Sequence, residues 1–141
     1  MSNSILLKEL QELLNKSIDP TMFPYQKGNS IRIGQYIVRE KKNGKFRVYD
    51  CKSNIMITEL FCKSSAVALA KTMAKGDTSI LVSIQSIDKE IQKWYNDCIF
   101  YRHTLKVTKD SIKKDIVETR YEIARDKTTS IRKQLDKYIY A

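Results

Sequence analysis

From Asp77 to the last residue, Ala141, the chain contains neither glycine nor proline, and this absence constrains the fold more than any other feature. Apolar residues recur in this stretch at alternating spacings of four and three, the heptad pattern of helices that pack along one seam. One such set runs from Ile80 to Leu105 and a second from Val117 to Tyr138. The pattern predicts long helices over 77–141, with a helical seam that includes Ile84, Ile87, Ile91, Trp94, Tyr121, Ile131 and Leu135.

The two apolar sets are out of phase. Leu105 and Val117 lie twelve positions apart, which turns the apolar stripe by about 120° at about 100° per residue. The β-branched Val107 and the capping candidates Thr108 and Asp110 mark the place where one helix ends and another begins. We therefore expect a long antiparallel helical hairpin that turns at 107–110, with one continuous helix of about 60 residues as the alternative.

The second predicted helix carries an additional apolar stripe. Ile112, Ile116 and Ile123 continue the spacing of the first set rather than that of the second. A helix with two apolar stripes is expected to touch two partners, one of which can belong to another chain.

Before Gly76 the apolar period changes to two residues, the period of a β-strand. Residues 31–40, 46–51 and about 55–61 alternate in this way, and Asn43-Gly44 supplies the positive backbone angles of a tight hairpin. The stretch 63–76 then reads as a helix that Ser64 or Ser65 caps and Gly76 ends. One helix can cover one apolar sheet face, which we expect to carry Tyr36, Val38, Phe46 and Val48.

The N-terminal residues predict a short amphipathic arm helix within 1–18. Its leucines fall on one side at helical spacing, and residues 19–30, which hold both prolines, read as a linker. Because a helix this short is marginal alone, its apolar stripe must dock on the body or on another chain. We predict a partner-binding arm formed by Leu6, Leu7, Leu10 and Leu14.

The sequence thus predicts an α+β fold. The arm and its linker precede a three-stranded antiparallel meander covered by one helix (31–76), and the long helical hairpin (77–141) follows.

Charge indicates an anionic partner. Lysine and arginine exceed aspartate and glutamate by 26 to 16, a net charge of +10, which favours nucleic acid or an acidic protein surface as a partner. A basic three-stranded sheet can lie in a DNA groove with its cations on phosphates. A solvated basic face, enriched in lysine by AT-rich codons, is the alternative. The possible nucleic-acid face consists of Arg39, Lys41, Lys42, Lys45, Arg47 and Tyr49.

The sequence lacks the motifs of common enzymes. Its glycines are scattered, no metal-ligand spacing joins Cys51, Cys62 or Cys98 to the single histidine, His103, and there is no nucleophile elbow. We therefore expect no catalytic, metal-binding or cofactor-binding residues and no enzyme. A membrane span needs about 20 apolar residues, and no apolar run is nearly that long, so we expect no membrane association. The N-terminus lacks a secretory pattern, so we expect a cytoplasmic location.

Two resemblances bear on function. The runs IGQYIVREKKNGKFRVYD (33–50), ELFCKSSAVALAKTMAKG (59–76) and KWYNDCIFYRHT (93–104) resemble small proteins encoded by marine contractile-tailed phages. That resemblance implies a virion component in the host cytoplasm and in the virion. Residues 31–76 also resemble the arm-type DNA-binding module of phage integrases, on the order of strands and helix and the spacing of Phe61 and Ala66.

We therefore expect a non-enzymatic structural or assembly protein. Its arm and long helices would contact protein partners, either by self-association or within a larger assembly. The alternative is a small DNA-binding protein that uses the basic face of the sheet.

Overall fold

The computed structural model describes residues 7–16, 26–27 and 30–140, and they form the predicted α+β fold. Four strands of four to six residues make an antiparallel meander, with a two-residue strand at its edge. The sheet thus has more strands than the three predicted. The strands are β1 (Gln26–Lys27), β2 (Ser30–Ile33), β3 (Tyr36–Glu40), β4 (Phe46–Asp50) and β5 (Ile55–Leu60), and the helices are α1 (Leu7–Lys16), α2 (Lys63–Ala74), α3 (Leu81–Val107), α4 (Ser111–Lys133) and α5 (Asp136–Ile139).

The extra strand arises because the predicted first strand folds back on itself at Gly34. Gly34 has φ +60°, which other residues rarely adopt, and a Cβ there would lie 3.2 Å from the Cβ of Ala74 on α2. The turn pairs Ile33 with Tyr36 and Ile31 with Val38. Side chains that would alternate on one continuous strand therefore share the buried face.

Helix α2 lies at the centre of the molecule. It contacts β2 to β5 on one side and α1, α3 and α5 on others. Every residue from Ser64 to Ala70 is consequently buried, not only the predicted stripe of Ala66, Leu69, Ala70 and Met73. Three alanines in this stretch allow the sheet and the surrounding helices to approach closely.

The start of α2 is capped from another helix, and the prediction that Ser64 or Ser65 caps it was wrong. Both serines are buried, and Cys62 is the N-cap residue, with no side-chain cap of its own. The Phe61 N–H donates to Asp88 Oδ2 at 2.8 Å, and the Cys62 N–H donates to Asp88 Oδ1 at 3.2 Å. A carboxylate is favourable here because the N-terminus of a helix carries partial positive charge.

The arm helix packs on the body of its own chain. Leu10 and Leu14 are 0% and 2% exposed, and α1 contacts α2, α3 and α4. The buried Ser64 hydroxyl donates to the Leu14 carbonyl oxygen at 2.8 Å, which fixes the end of the arm. The predicted linker is partly wrong, because residues 26–27 and 30 belong to strands. The remainder of 19–30 lies outside the described residues.

The helical hairpin is confirmed. Helix α3 ends at Val107, α4 begins at Ser111, and the two contact each other along the hairpin. Asp110 caps α4, since its carboxylate accepts the N–H groups of Ile112 at 2.9 Å and Lys113 at 3.2 Å. The continuous helix is thereby excluded.

The chain does not continue as one helix to its end. A turn at Gln134 and Leu135 separates α4 from α5, which packs on α2. The Lys71 ammonium donates to the Ile139 carbonyl oxygen, and Leu135 and Ile139 are fully buried. Leu135 is therefore buried in the turn between the two helices and does not extend the seam along α4.

The buried face of α3 is broader than the predicted seam. Ile84, Ile91 and Cys98 are buried as expected, but so are Asp88 and Tyr95, which belong to an adjacent stripe. Helix α3 contacts both α4 and α2, so it needs two buried sides. Two predicted seam residues, Ile87 and Trp94, are only partly buried at the edge of this face. On α4 the seam residues Tyr121 and Ile131 are buried.

Candidate functional site

The outer face of the sheet, opposite α2, carries a row of four polar residues across four strands, three of them charged. The register places Ser30 beside Arg39, Arg39 beside Arg47, and Arg47 beside Glu59. Their neighbours on each strand point into the core, because side chains alternate along a strand. The row therefore lies on the surface away from α2.

A second row on the same face adds Arg32 and an aromatic residue. Arg32 pairs with Ile37, Ile37 with Tyr49, and Tyr49 with Met56. The Arg39 guanidinium lies 5.6 Å from the centre of the Tyr49 ring, a cation–π distance that links the two rows. We call these two rows, from Ser30 to Glu59, the basic sheet face.

The cations of this face differ in availability. Arg47 Nε donates to Glu59 Oε1 at 2.8 Å, and this bond is the main cause that lowers the pKa of Glu59. Arg32 and Arg39 are exposed and donate to neutral oxygens, the Gly34 carbonyl at 3.1 Å and the Ser30 hydroxyl at 3.4 Å. Arg32 and Arg39 are thus better placed than Arg47 to contact an added anion.

The three predicted lysines lie at one end of the sheet, in the loop between β3 and β4. Lys41 and Lys45 are bonded through the Lys41 N–H and the Lys45 carbonyl at 2.8 Å, and Lys42 is exposed between them. Of the Asn43-Gly44 pair, only Gly44 has a positive φ, +83°, so the turn differs from the predicted type. These lysines add positive charge beside the arginines of the basic sheet face.

Arg32 was not among the predicted site residues. On one continuous strand, its alternation would have placed it with Tyr36 and Val38 in the core. The signal available in the sequence was that Ile31 and Ile33 alternate out of step with Tyr36 and Val38. Only a turn at Gly34 places all four on one face, and that turn moves Arg32 to the other face.

A second exposed surface lies on α4. Ile112, Ile116 and Ile123 are 72%, 51% and 49% exposed. At about 100° per residue they share one side of α4, roughly opposite the side that packs on α3. We call these three residues the outer stripe. The sequence predicted a second apolar stripe here, and the structure leaves it uncovered by the described residues of the chain.

The other predicted protein-binding residues are not available to a partner. Leu10 and Leu14 are buried in the chain's own core, Leu7 is partly buried against it, and Leu6 lies outside the described residues. The partner-binding arm was therefore wrong for Leu7, Leu10 and Leu14. The seam between α3 and α4 is likewise used inside the molecule.

The arrangement most like a catalytic one joins Cys62, Ser65 and Asp88. The Cys62 sulfur lies 3.0 Å from the Ser65 hydroxyl oxygen and 3.7 Å from Asp88 Oδ1. Burial raises the pKa of Cys62 to about 12, and the charge of Asp88 adds to the shift. A thiol that keeps its proton and is closed to solvent is a poor nucleophile. Asp88 was not predicted, and its geometry makes it a helix cap.

No cluster of histidine, cysteine, aspartate or glutamate that could hold a metal ion occurs within residues 7–16, 26–27 and 30–140. In the same part of the chain, no helix has the length and apolar character needed to cross a membrane. Comparison of the chain with protein-family models, curated proteins and solved structures gives no match. Inferences about function therefore rest on the geometry of the two exposed surfaces.

Proposed function

We propose that this chain is a non-enzymatic assembly protein that binds another protein through the outer stripe of α4. The observation that carries the proposal is the exposure of Ile112, Ile116 and Ile123 on one side of a well-packed helix. Isolated exposed apolar residues are common on protein surfaces, but a row of them on a helix is typical of an interface.

The outer stripe takes over the role first assigned to the arm and the seam. The apolar residues of the arm and the seam pack within the chain's own core, whereas the outer stripe contributes little to that core. The resemblance to proteins of marine contractile-tailed phages makes a virion the assembly that we propose, and the chain one of its components.

The test is incorporation into particles. We expect a tagged wild-type chain to co-purify with virions on a density gradient and a variant with Ile112→Asp, Ile116→Asp and Ile123→Asp to remain in the free fraction. Val82→Asp is the matched control, because Val82 is 69% exposed on α3 and outside the stripe. Equal incorporation of all three proteins, with equal melting temperatures, would refute the proposal.

A second candidate function is nucleic-acid binding by the basic sheet face. It is favoured by the exposure of Arg32 and Arg39 on the sheet face opposite α2, beside Tyr49, with three lysines at one end of that face. Strands can lie in a DNA groove, and cations on phosphates supply affinity that falls with salt.

Its test is the salt dependence of duplex binding. Arg32→Ser with Arg39→Ser should flatten the log–log slope by about one for each phosphate that the variant no longer neutralises. Lys106→Ser with Lys133→Ser removes the same charge from exposed positions on the helices and serves as control. If both pairs of substitutions change binding equally, the basic sheet face is not the binding surface.

A further inference from the structure

The residues beside the outer stripe carry opposite charges on its two sides. At about 100° per residue, Lys113, Arg120 and Lys127 lie along one side of the stripe. Asp115 and Glu122 lie along the other side. Lys113, Asp115, Arg120 and Lys127 are exposed, and Glu122 is partly exposed, so both flanks can reach a partner.

This pattern matches one heptad register. Ile116 and Ile123 occupy a positions, and Ile112 and Thr119 occupy d positions. The three basic residues then fall on e and the two acidic residues on g. Charges at e and g set partner choice and orientation in such helix pairs.

We propose that the outer stripe binds a second copy of this chain, with the two α4 helices parallel and in register. This inference rests on the proposed function and names its partner. In a parallel pair, each g residue faces the e residue five positions later on the other helix. Asp115 then meets Arg120 of the second copy, Glu122 meets Lys127 of the second copy, and the two-fold symmetry forms each pair twice.

The same charges oppose the antiparallel arrangement. Antiparallel helices place e against e and g against g, so basic residues would face basic residues and acidic ones would face acidic ones. Like charges that face each other repel, so they disfavour the antiparallel pair relative to the parallel one. The charge pattern is therefore complementary to a second copy in one orientation.

The pairing is short and therefore weak. The next a and d positions are Asp126 and Ser130, so the apolar contact ends after Ile123. Helix α4 is already formed and held by α3, which lowers the entropy cost of pairing. We expect an equilibrium between monomer and dimer that shifts toward the dimer at higher protein concentration. Dimerisation should weaken at about 1 M salt, where charges are screened within about 3 Å.

Orientation can be tested with single cysteines in a chain carrying Cys51→Ser, since Cys51 is exposed while Cys62 and Cys98 are buried. In a parallel pair, position 112 meets itself, so Ile112→Cys should form a disulfide-linked dimer on mild oxidation. Val82→Cys, 69% exposed on α3, should form no disulfide-linked dimer. Crosslinking of Ile112→Cys only to Ile123→Cys in a mixture would show antiparallel packing and overturn the proposal.

Charge exchange tests the flanks by sedimentation velocity. Arg120→Glu with Lys127→Glu should abolish the dimer, and so should Asp115→Lys with Glu122→Lys, but a mixture of the two variants should restore it. Lys89→Glu with Lys106→Glu, two exposed lysines on α3, should leave it unchanged. A wild-type chain that remains monomeric at every concentration would also overturn the proposal.

The two proposals fail in different ways. A monomeric wild-type chain whose triple aspartate variant is lost from virions would retain the proposed function and refute the second copy as partner. A dimer through α4 whose disruption leaves incorporation into virions unchanged would retain the second copy as partner and refute the proposed function.

Discussion

Helix α1 and the outer stripe of α4 have similar apolar patterns, but the body of the chain covers only α1. Both are rows of branched aliphatic residues at helical spacing, flanked by charged residues. Leu10 and Leu14 of α1 are buried under the chain's own helices, whereas the three isoleucines of the outer stripe face away from the body. An amphipathic pattern therefore predicts that an apolar stripe will be covered. It does not say whether the chain's own body or another molecule covers it.

The largest expected effect comes from Leu10→Asp. Leu10 is fully buried among helices, so an aspartate there places an unpaired charge in the core or forces α1 away. We expect a loss of about 3–5 kcal/mol in the free energy of unfolding, measured by urea denaturation. Unchanged stability would mean that α1 is not packed on the body, and the contrast with α4 would disappear.

Helix α1 packs on α2, and the start of α2 is held in place by hydrogen bonds to Asp88. Asp88→Ala leaves the N–H groups of Phe61 and Cys62 without their carboxylate, and we expect a loss of about 1–3 kcal/mol. Asp88→Asn keeps one acceptor oxygen and should cost less. Equal unfolding midpoints for wild type and Asp88→Ala would show that the cap contributes nothing.

Asp88 also predicts a dependence on pH. Burial raises its pKa in the folded state above the ordinary value of 3.8, against the effect of its hydrogen bonds. The folded chain then binds this proton more tightly than the unfolded chain, so its stabilisation is complete below about pH 3.8 and is lost as pH rises through the raised pKa. The stability of wild type relative to Asp88→Asn should fall across that window and be constant above it. A difference that rises with pH would contradict this sign.

A smaller effect is expected for Ser64→Ala. This change removes the hydrogen bond to the Leu14 carbonyl while keeping the backbone of α2, and should cost about 0.5–1.5 kcal/mol. Hydrogen exchange of α1 amides should rise more than that of α3 amides, because the bond joins α1 to the body. Equal increases in both helices would argue against a local role.

The smallest effect on the monomer is expected for Ile116→Asp. Ile116 is half exposed, so the free energy of unfolding at low protein concentration should change by about 0.5 kcal/mol or less. The same substitution should remove any concentration dependence of the melting temperature, because a dimer stabilises the folded state by mass action. A large loss in the monomer would show that the outer stripe belongs to the core.

Local features of the sequence were enough to predict several elements. The phase shift between Leu105 and Val117, with Asp110 as a cap, predicted the hairpin that the structure shows. Alternation predicted the buried faces of β3 and β4, and Gly76 follows the end of α2, where its φ is +103°. These features depend on periods and caps that act over a few residues, so the sequence carries them directly.

Other features arose only from contacts between distant residues. The turn at Gly34 was hidden because each half of 31–40 reads as a strand, and only the approach of Ala74 and the pairing of Ile33 with Tyr36 reveal its position. The same turn decided that Arg32 belongs to the basic sheet face. Asp88 was missed because its partners, the N–H groups of Phe61 and Cys62, lie more than 25 residues away.

The sequence by itself determined that α1 and α4 would each present an apolar stripe, because helical spacing depends only on the order of residues. It did not determine that the body would cover Leu10 and Leu14 and leave Ile112, Ile116 and Ile123 exposed. The tertiary structure made that choice, since α2, α3 and α4 together form a surface on which α1 packs. Burial is a property of the assembled surface, because apolar area leaves water only where other elements meet it.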